Sequence, residues 1–166
     1  MTNSLSEEEK IEGLSAFVNI TAIPEDSVDD EDVEVAYRRL PISENPQPNQ
    51  NPDIIDVQID GVSYTADDVL IAQAGQTYEI NPIFSEDSIE QYPYVTPAGE
   101  TETREEEPYC TWYLEGGSFD QYFTLYPTAS VGWTAPTEAH EGKIVMVVRD
   151  RRGGLDWAYL NVKVEQ

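Results

Sequence analysis

The chain has 166 residues, 39% of them hydrophobic, with 33 acidic residues against nine basic ones and a formal net charge of −24. A polyanion repels nucleic acid and anionic lipid, which disfavours both as partners. One cysteine allows no internal disulfide, and no run of about 18 apolar residues is present to span a membrane as a helix.

The acid is unevenly spread. Residues 1–107 hold 26 acidic and four basic residues, a net −22, whereas residues 108–166 hold seven and five, a net −2. The tracts are "SEEE", "EDSVDDEDVE", "SEDSIE" and "ETETREEE", and only three of the nine bases are lysine. Such a surface has two readings: adaptation to high salt, where repulsion is screened, or simple solubility. The opening "MTNSLSEEEK" shows neither a basic nor an apolar signal region. It fits a cytosolic chain or a mature or trimmed fragment equally.

In chain order, residues 1–13 are polar and acidic. "SAFVNITA" (15–22) and "VEVAYRRL" (33–40) alternate and predict two strands joined by the acidic loop 24–32. An isolated hairpin is marginal in water, so this one needs a surface to dock on. "PISENPQPNQNP" (41–52) reads as an extended linker, because proline and the residue before it avoid helix. The expected organisation is therefore an acidic segment with a β-hairpin at 1–40, a linker at 41–52 and a main domain at 53–166.

Strand signals then come regularly. "DIIDVQID" runs into Asp60-Gly61, a strong hairpin cue. "SYTADDVLIAQ" leads through Ala74-Gly75-Gln76 to "TYEINPIF". The 86–107 stretch is acidic, broken by proline, and reads as an excursion with its own small hairpin. "YCTWYLEGG", "YFTLYP", "VGWTAP", "KIVMVVRD" and "DWAYLNVKV" complete the set. Short strands between turns, without sustained helical periodicity, predict a β-sandwich.

Period two assigns faces. Cys110, Trp112 and Leu114 share one side of their strand, and Tyr109, Thr111 and Tyr113 the other. In the last strand Ala158, Leu160, Val162 and Val164 oppose Trp157, Tyr159, Asn161 and Lys163. The aliphatic sides should meet as the core, with Cys110 a small buried hydrophobe.

The series Cys110-x-Trp112, Gly116-Gly117-x-Phe119, Trp133-x-Ala135-Pro136, Gly142-x-Ile144 and Asp150-x-x-Gly153-Gly154 resembles bacterial immunoglobulin-like and PKD-like domains. The likeness covers residues 53–166. "VAYRRLPIS" and "NQNPDI" resemble stretches of uncharacterised lipoproteins of myxobacteria and their relatives. The resemblance implies an all-β, Ig-like antiparallel sandwich, here with an additional N-terminal hairpin. It also implies a periplasmic or cell-surface setting, no enzymatic activity, and a final hairpin lying centrally in one sheet.

The residues themselves offer little catalysis. His140, the sole histidine, falls in an expected exposed loop, and strand periodicity buries Cys110, so a Cys–His pair is disfavoured. CxxC, HExxH, G-x-S-x-G and phosphate-loop patterns are absent. No cofactor is expected, with calcium the exception to weigh. Asp26, Asp29, Asp30 and Asp32 cluster as hard oxygen ligands, although without an EF-hand spacing. Trp157, Tyr159, Tyr109 and Tyr113 lie on outward faces. Exposed together they would form an interface for protein or surface polysaccharide. The expectation is instead that the hairpin or the 86–107 excursion covers them. Asn19-Ile20-Thr21 matches a glycosylation sequon, a pattern common by chance.

The charge asymmetry generates a first prediction. Salt screens repulsion over a Debye length of about 10 Å at 0.1 M and about 3 Å at 1 M. Melting temperature should therefore rise as NaCl goes from millimolar to molar, and a flat response would refute the repulsion argument. A rise that saturates at low calcium, unmatched by magnesium or sodium, would instead point to Asp26, Asp29, Asp30 and Asp32.

Overall fold

Antiparallel strands dominate the computed structural model of the chain, which describes residues 9–10, 13–25, 33–45, 48–96 and 98–166. The chain divides into two compact units, residues 1–48 with 93–102, and residues 49–92 with 103–166.

The first unit contains β1 (Leu14–Ala22) and β2 (Glu34–Ile42), an unbroken antiparallel ladder running from Leu14↔Ile42 to Ala22↔Glu34. Arg39 Nε donates to Ser15 Oγ across it at 2.7 Å. The second strand continues through Pro41 and Ile42, past the expected start of the linker. The four aspartates considered for calcium, Asp26, Asp29, Asp30 and Asp32, lie outside the described residues.

The second unit is an all-β sandwich. One sheet has the order β10 (Ser118–Phe119), β12 (Val131–Thr134), β6 (Thr77–Phe84), β3 (Ile54–Ile59), β4 (Val62–Tyr64). The other has the order β11 (Phe123–Leu125), β9 (Tyr109–Leu114), β13 (His140–Arg149), β14 (Leu155–Glu165), β5 (Val69–Gln73). All pairings in the two sheets are antiparallel except β14 with β5. The orders β10–β12–β6–β3 and β9–β13–β14 reproduce the D–E–B–A and C–F–G neighbours of an immunoglobulin-type sandwich. The chain departs from that scheme between β9 and β12, where it visits the first sheet at β10 before returning to the second at β11.

Burial explains the packing. Cys110, Trp112, Leu160, Val162 and Val164 are buried with Ile144, Met146 and Val148 from β13 and Ile80, Val131 and Trp133 from the facing sheet. Leu114 is half-buried against this cluster. Both buried indoles satisfy their N–H, as buried polar groups must. Trp112 Nε1 donates to Thr124 Oγ1 at 3.0 Å, and Trp133 Nε1 donates to the Gly116 carbonyl at 3.0 Å.

Turn chemistry follows the sequence cues. Asp60 (φ 49°) and Gly61 (φ 81°) both take positive φ between β3 and β4, as a two-residue hairpin turn requires. At the β13–β14 turn Arg151 (φ 66°) and Gly153 (φ 118°) do so. Gly154 is needed for a different reason: a Cβ there would press on Asp150 Oδ2 and lie 3.0 Å from Asn49 Nδ2.

Two expectations need correction. Residues 49–52 are not free linker: Asn49 Nδ2 donates to Asp150 Oδ2 at 2.6 Å, Leu155 N donates to Asn51 Oδ1 at 3.3 Å, and Pro52 is buried. Of the asparagines that suggest an extended linker, Asn51 accepts a backbone N–H of the domain and Asn49 donates to a buried carboxylate of it. His140 is not an exposed loop residue. It opens β13, half-buried, with Nε2 buried and without a hydrogen-bond partner among the described residues. Gly142 makes its room, since a Cβ there would sit 2.8 Å from Nε2.

Candidate functional site

The final hairpin builds the outer face of the second sheet. β13 and β14 pair from His140↔Val164 to Arg149↔Leu155, and β9 pairs with β13 from Ile144↔Leu114 to Arg149↔Tyr109. These registers align outward residues in rows across three strands: Thr111–Val147–Trp157, Tyr113–Val145–Tyr159 and Tyr109–Arg149–Leu155. Phe123 of β11 extends the first row, and Leu125 the last.

The structure thus places Trp157, Tyr159, Tyr109 and Tyr113 on one face, but in separate groups. Trp157 stacks on Tyr159, with ring centroids 6.1 Å apart and an interplanar angle of 21°. Lys143 Nζ lies 4.9 Å from the Tyr159 centroid, a cation–π contact that extends the arrangement. Tyr109 pairs with Phe123 at 5.2 Å, with the Arg151 guanidinium 5.8 Å from its ring. Tyr113, in the same row as Tyr159 but two strands away, has no ring partner among the described residues. Trp157 is 57% exposed and Tyr113 49%, so these two are open rather than covered as expected. Tyr109 and Tyr159 are half-buried.

A groove of about 340 Å³ opens beside the Trp157–Tyr159 pair, lined by Ile55, Asp56, Tyr64 and Thr65 among others. Asp56 accepts from Ser63 Oγ at 2.6 Å and from Gln58 Nε2 at 3.1 Å, and these bonds hold its carboxyl below the usual range. The groove therefore offers apolar ring area next to a fixed anionic acceptor.

A second constellation sits at the β13–β14 turn. Asp150 is 2% exposed and accepts the backbone N–H of Arg152 (2.7 Å), Gly153 (2.9 Å) and Gly154 (2.9 Å) on Oδ1. Arg152 then reaches Glu106 at 2.7 Å and Glu90 at 3.3 Å, and covers the Tyr92 ring at 4.3 Å. Glu90 Oε2 also accepts the N–H of Gln50 at 3.0 Å. The excursion that contains these glutamates forms β7 (Gln91–Val95) and β8 (Thr101–Glu105), a two-stranded ladder. Burial raises the Glu106 carboxyl above its ordinary value, against the opposing pull of Arg152. Sequence reasoning missed Glu106 and Arg152. The available signal was an acid immediately before a strongly apolar strand, in "EEEPYCTWYL".

The Cys110 thiol is buried and pushed up to about 11 by desolvation. Among the described residues no group of three or more His, Cys, Asp or Glu could hold a metal ion. No helix of the described residues is long and apolar enough to cross a membrane.

No family model and no curated protein matches the chain. A solved structure similar to it is that of a nucleoside hydrolase-related hypothetical protein from Saccharophagus degradans, described as associated with carbohydrate metabolism. The likeness has a TM-score of 0.40 and 18% identity over 70% of this chain and 26% of that one. The chain thus spans about a quarter of that protein's length, and a likeness this distant carries no functional argument.

The raised Glu106 carboxyl generates a pH prediction. A carboxyl whose folded value lies above its ordinary 4.5 binds its proton more tightly in the native state. Its contribution to stability therefore grows as pH falls from 7 through the folded value towards 4.5. Asp56 and Asp68 act oppositely: their values are lowered, so their stabilisation is lost only as pH falls below the ordinary 3.8. Melting temperature should rise on mild acidification, and Glu106→Gln should flatten part of that rise. An unchanged slope in Glu106→Gln would refute the assignment.

Proposed function

We propose that the chain is a non-enzymatic interaction module of a bacterial cell-surface or periplasmic protein, and that the outer face of β9, β13 and β14 is its contact surface. The observation that carries this is the exposed Trp157, stacked on Tyr159 at the rim of the groove. Charged residues make up 25% of the chain, so covering this face with them was open to the sequence. Large exposed aromatics in a cluster mark interaction sites more often than chance decoration. The likeness of residues 53–166 to bacterial immunoglobulin-like and PKD-like modules supports the surface setting and the absence of catalysis. The buried, high-pKa thiol of Cys110 supports the latter too, because a thiol so placed supplies little thiolate at neutral pH.

A second reading, a neutral carbohydrate as the ligand, is favoured by the groove alone. Flat aromatic faces stack on the C–H faces of sugar rings, and Asp56, Tyr64 and Thr65 would supply hydrogen-bonding groups for hydroxyls. The chain's net charge of −24 argues against an anionic glycan.

Titration of the intact protein with neutral oligosaccharides of the cellulose, xylan and mannan types, followed by calorimetry, tests the face. Trp157→Ala should abolish the response or weaken it at least tenfold, while stability stays within about 0.5 kcal/mol because the side chain is exposed. Binding that survives Trp157→Ala would place the ligand elsewhere, and no binding by the native protein would remove the carbohydrate reading.

A further inference from the structure

The two sheets of the sandwich have four edges, and three are short. β10 has two residues, β4 three and β11 three. Short edges are a standard protection against pairing with other chains, as are charges and prolines. β5 has five residues, Val69-Leu70-Ile71-Ala72-Gln73, and includes no charge, proline or glycine. It ends its sheet, and among the described residues no strand pairs with its other side.

The backbone directions can be read from two bonds. Ala74 N donates to the Glu165 carbonyl on β14 at 2.9 Å, whereas Gln73 N donates to the Tyr78 hydroxyl at 2.8 Å. Gln73 thus turns away from β14. Alternation along a parallel ladder then turns the peptide groups of Val69 and Ile71 away from β14 as well, and those of Leu70 and Ala72 toward it. The side chains alternate too: Leu70 and Ala72 are buried, whereas Val69 and Ile71 are about half exposed. Acid precedes the edge at Asp67 and Asp68, whereas Glu165, opposite Gln73 on β14, is already paired with Lys163 at 2.8 Å.

We propose that β5 is a docking edge for strand addition by an extended, cationic peptide segment of a partner protein. The Val69 and Ile71 peptide groups supply main-chain donors and acceptors, and the exposed Val69 and Ile71 side chains receive alternate apolar residues of the incoming strand. Lys or Arg at the end of that strand beside Val69 meets Asp67 and Asp68. A second copy of this chain is the poorer occupant, because each copy carries a net charge of −24 and repels the other. The inference is independent of the aromatic face, since the edge remains open whatever Trp157 binds.

The test uses the full chain and a blocked peptide of five alternating valine and threonine residues with two lysines at each end. Binding is followed by calorimetry, and amide hydrogen exchange reports the site. The Ile71 amide should become protected, and Ile71→Pro should weaken binding at least tenfold. Proline removes only an outward N–H here and is tolerated on edge strands. Ile71→Lys, which leaves the backbone alone, should weaken binding comparably through charge repulsion and edge blocking. Equal affinity in both variants would overturn the proposal, as would equal binding of a peptide with the same lysines and glycines between them. Concentration-dependent dimers of the native chain that Ile71→Lys abolishes would also overturn it, by assigning the edge to a second copy.

Discussion

The carboxylate of Asp150 is the constraint on which most of the described sandwich unit depends. It is almost fully buried, and such a charge costs several kcal/mol unless donors surround it. Here three consecutive backbone N–H groups and the Asn49 amide do so. Those bonds hold Arg151 and Gly153 at positive φ and so shape the turn from β13 to β14. The turn sets the register of that hairpin. A slip of one residue would exchange its two faces, sending Trp157 and Tyr159 inward and Leu160 and Val162 outward. The same carboxylate positions the Arg152 backbone, whose side chain ties down Glu106 and Glu90. One buried anion therefore links the sheet that carries the aromatic face to residues 49–52 and to the base of the 86–107 excursion.

Much of this was legible in the sequence. Period-two alternation in "YCTWYLEGG" and "DWAYLNVKV" separates the buried from the outward residues, and the structure places them on the same sides. The Asp60-Gly61 turn and the closing hairpin were visible for the same reason, because turn residues signal backbone conformation locally. What escaped depends on contacts between residues far apart in the chain. Asn49 and Asp150 are 101 positions apart, and Arg152 and Glu106 are 46 apart. Composition makes the first of these a linker residue and the last an acidic-tract residue. His140 escaped because its half-burial comes from absent side chains at Gly116 and Gly142, which a sequence window reads as loop signals.

Exposed apolar area occurs on both the acidic and the near-neutral parts of this chain. Most acid lies before residue 108, where Phe17 is 70% and Tyr37 72% exposed on the first unit's hairpin, while Tyr113, Phe123 and Trp157 are exposed on the outer face of the second sheet. A net charge of −24 opposes association between copies of the chain.

The most direct test of the account is urea unfolding of Asp150→Ala beside the native chain. Removing the carboxylate leaves several buried N–H groups without their acceptor. The account predicts a loss of at least about 2 kcal/mol of stability. A change within about 0.5 kcal/mol, the range of an ordinary surface substitution, would contradict it.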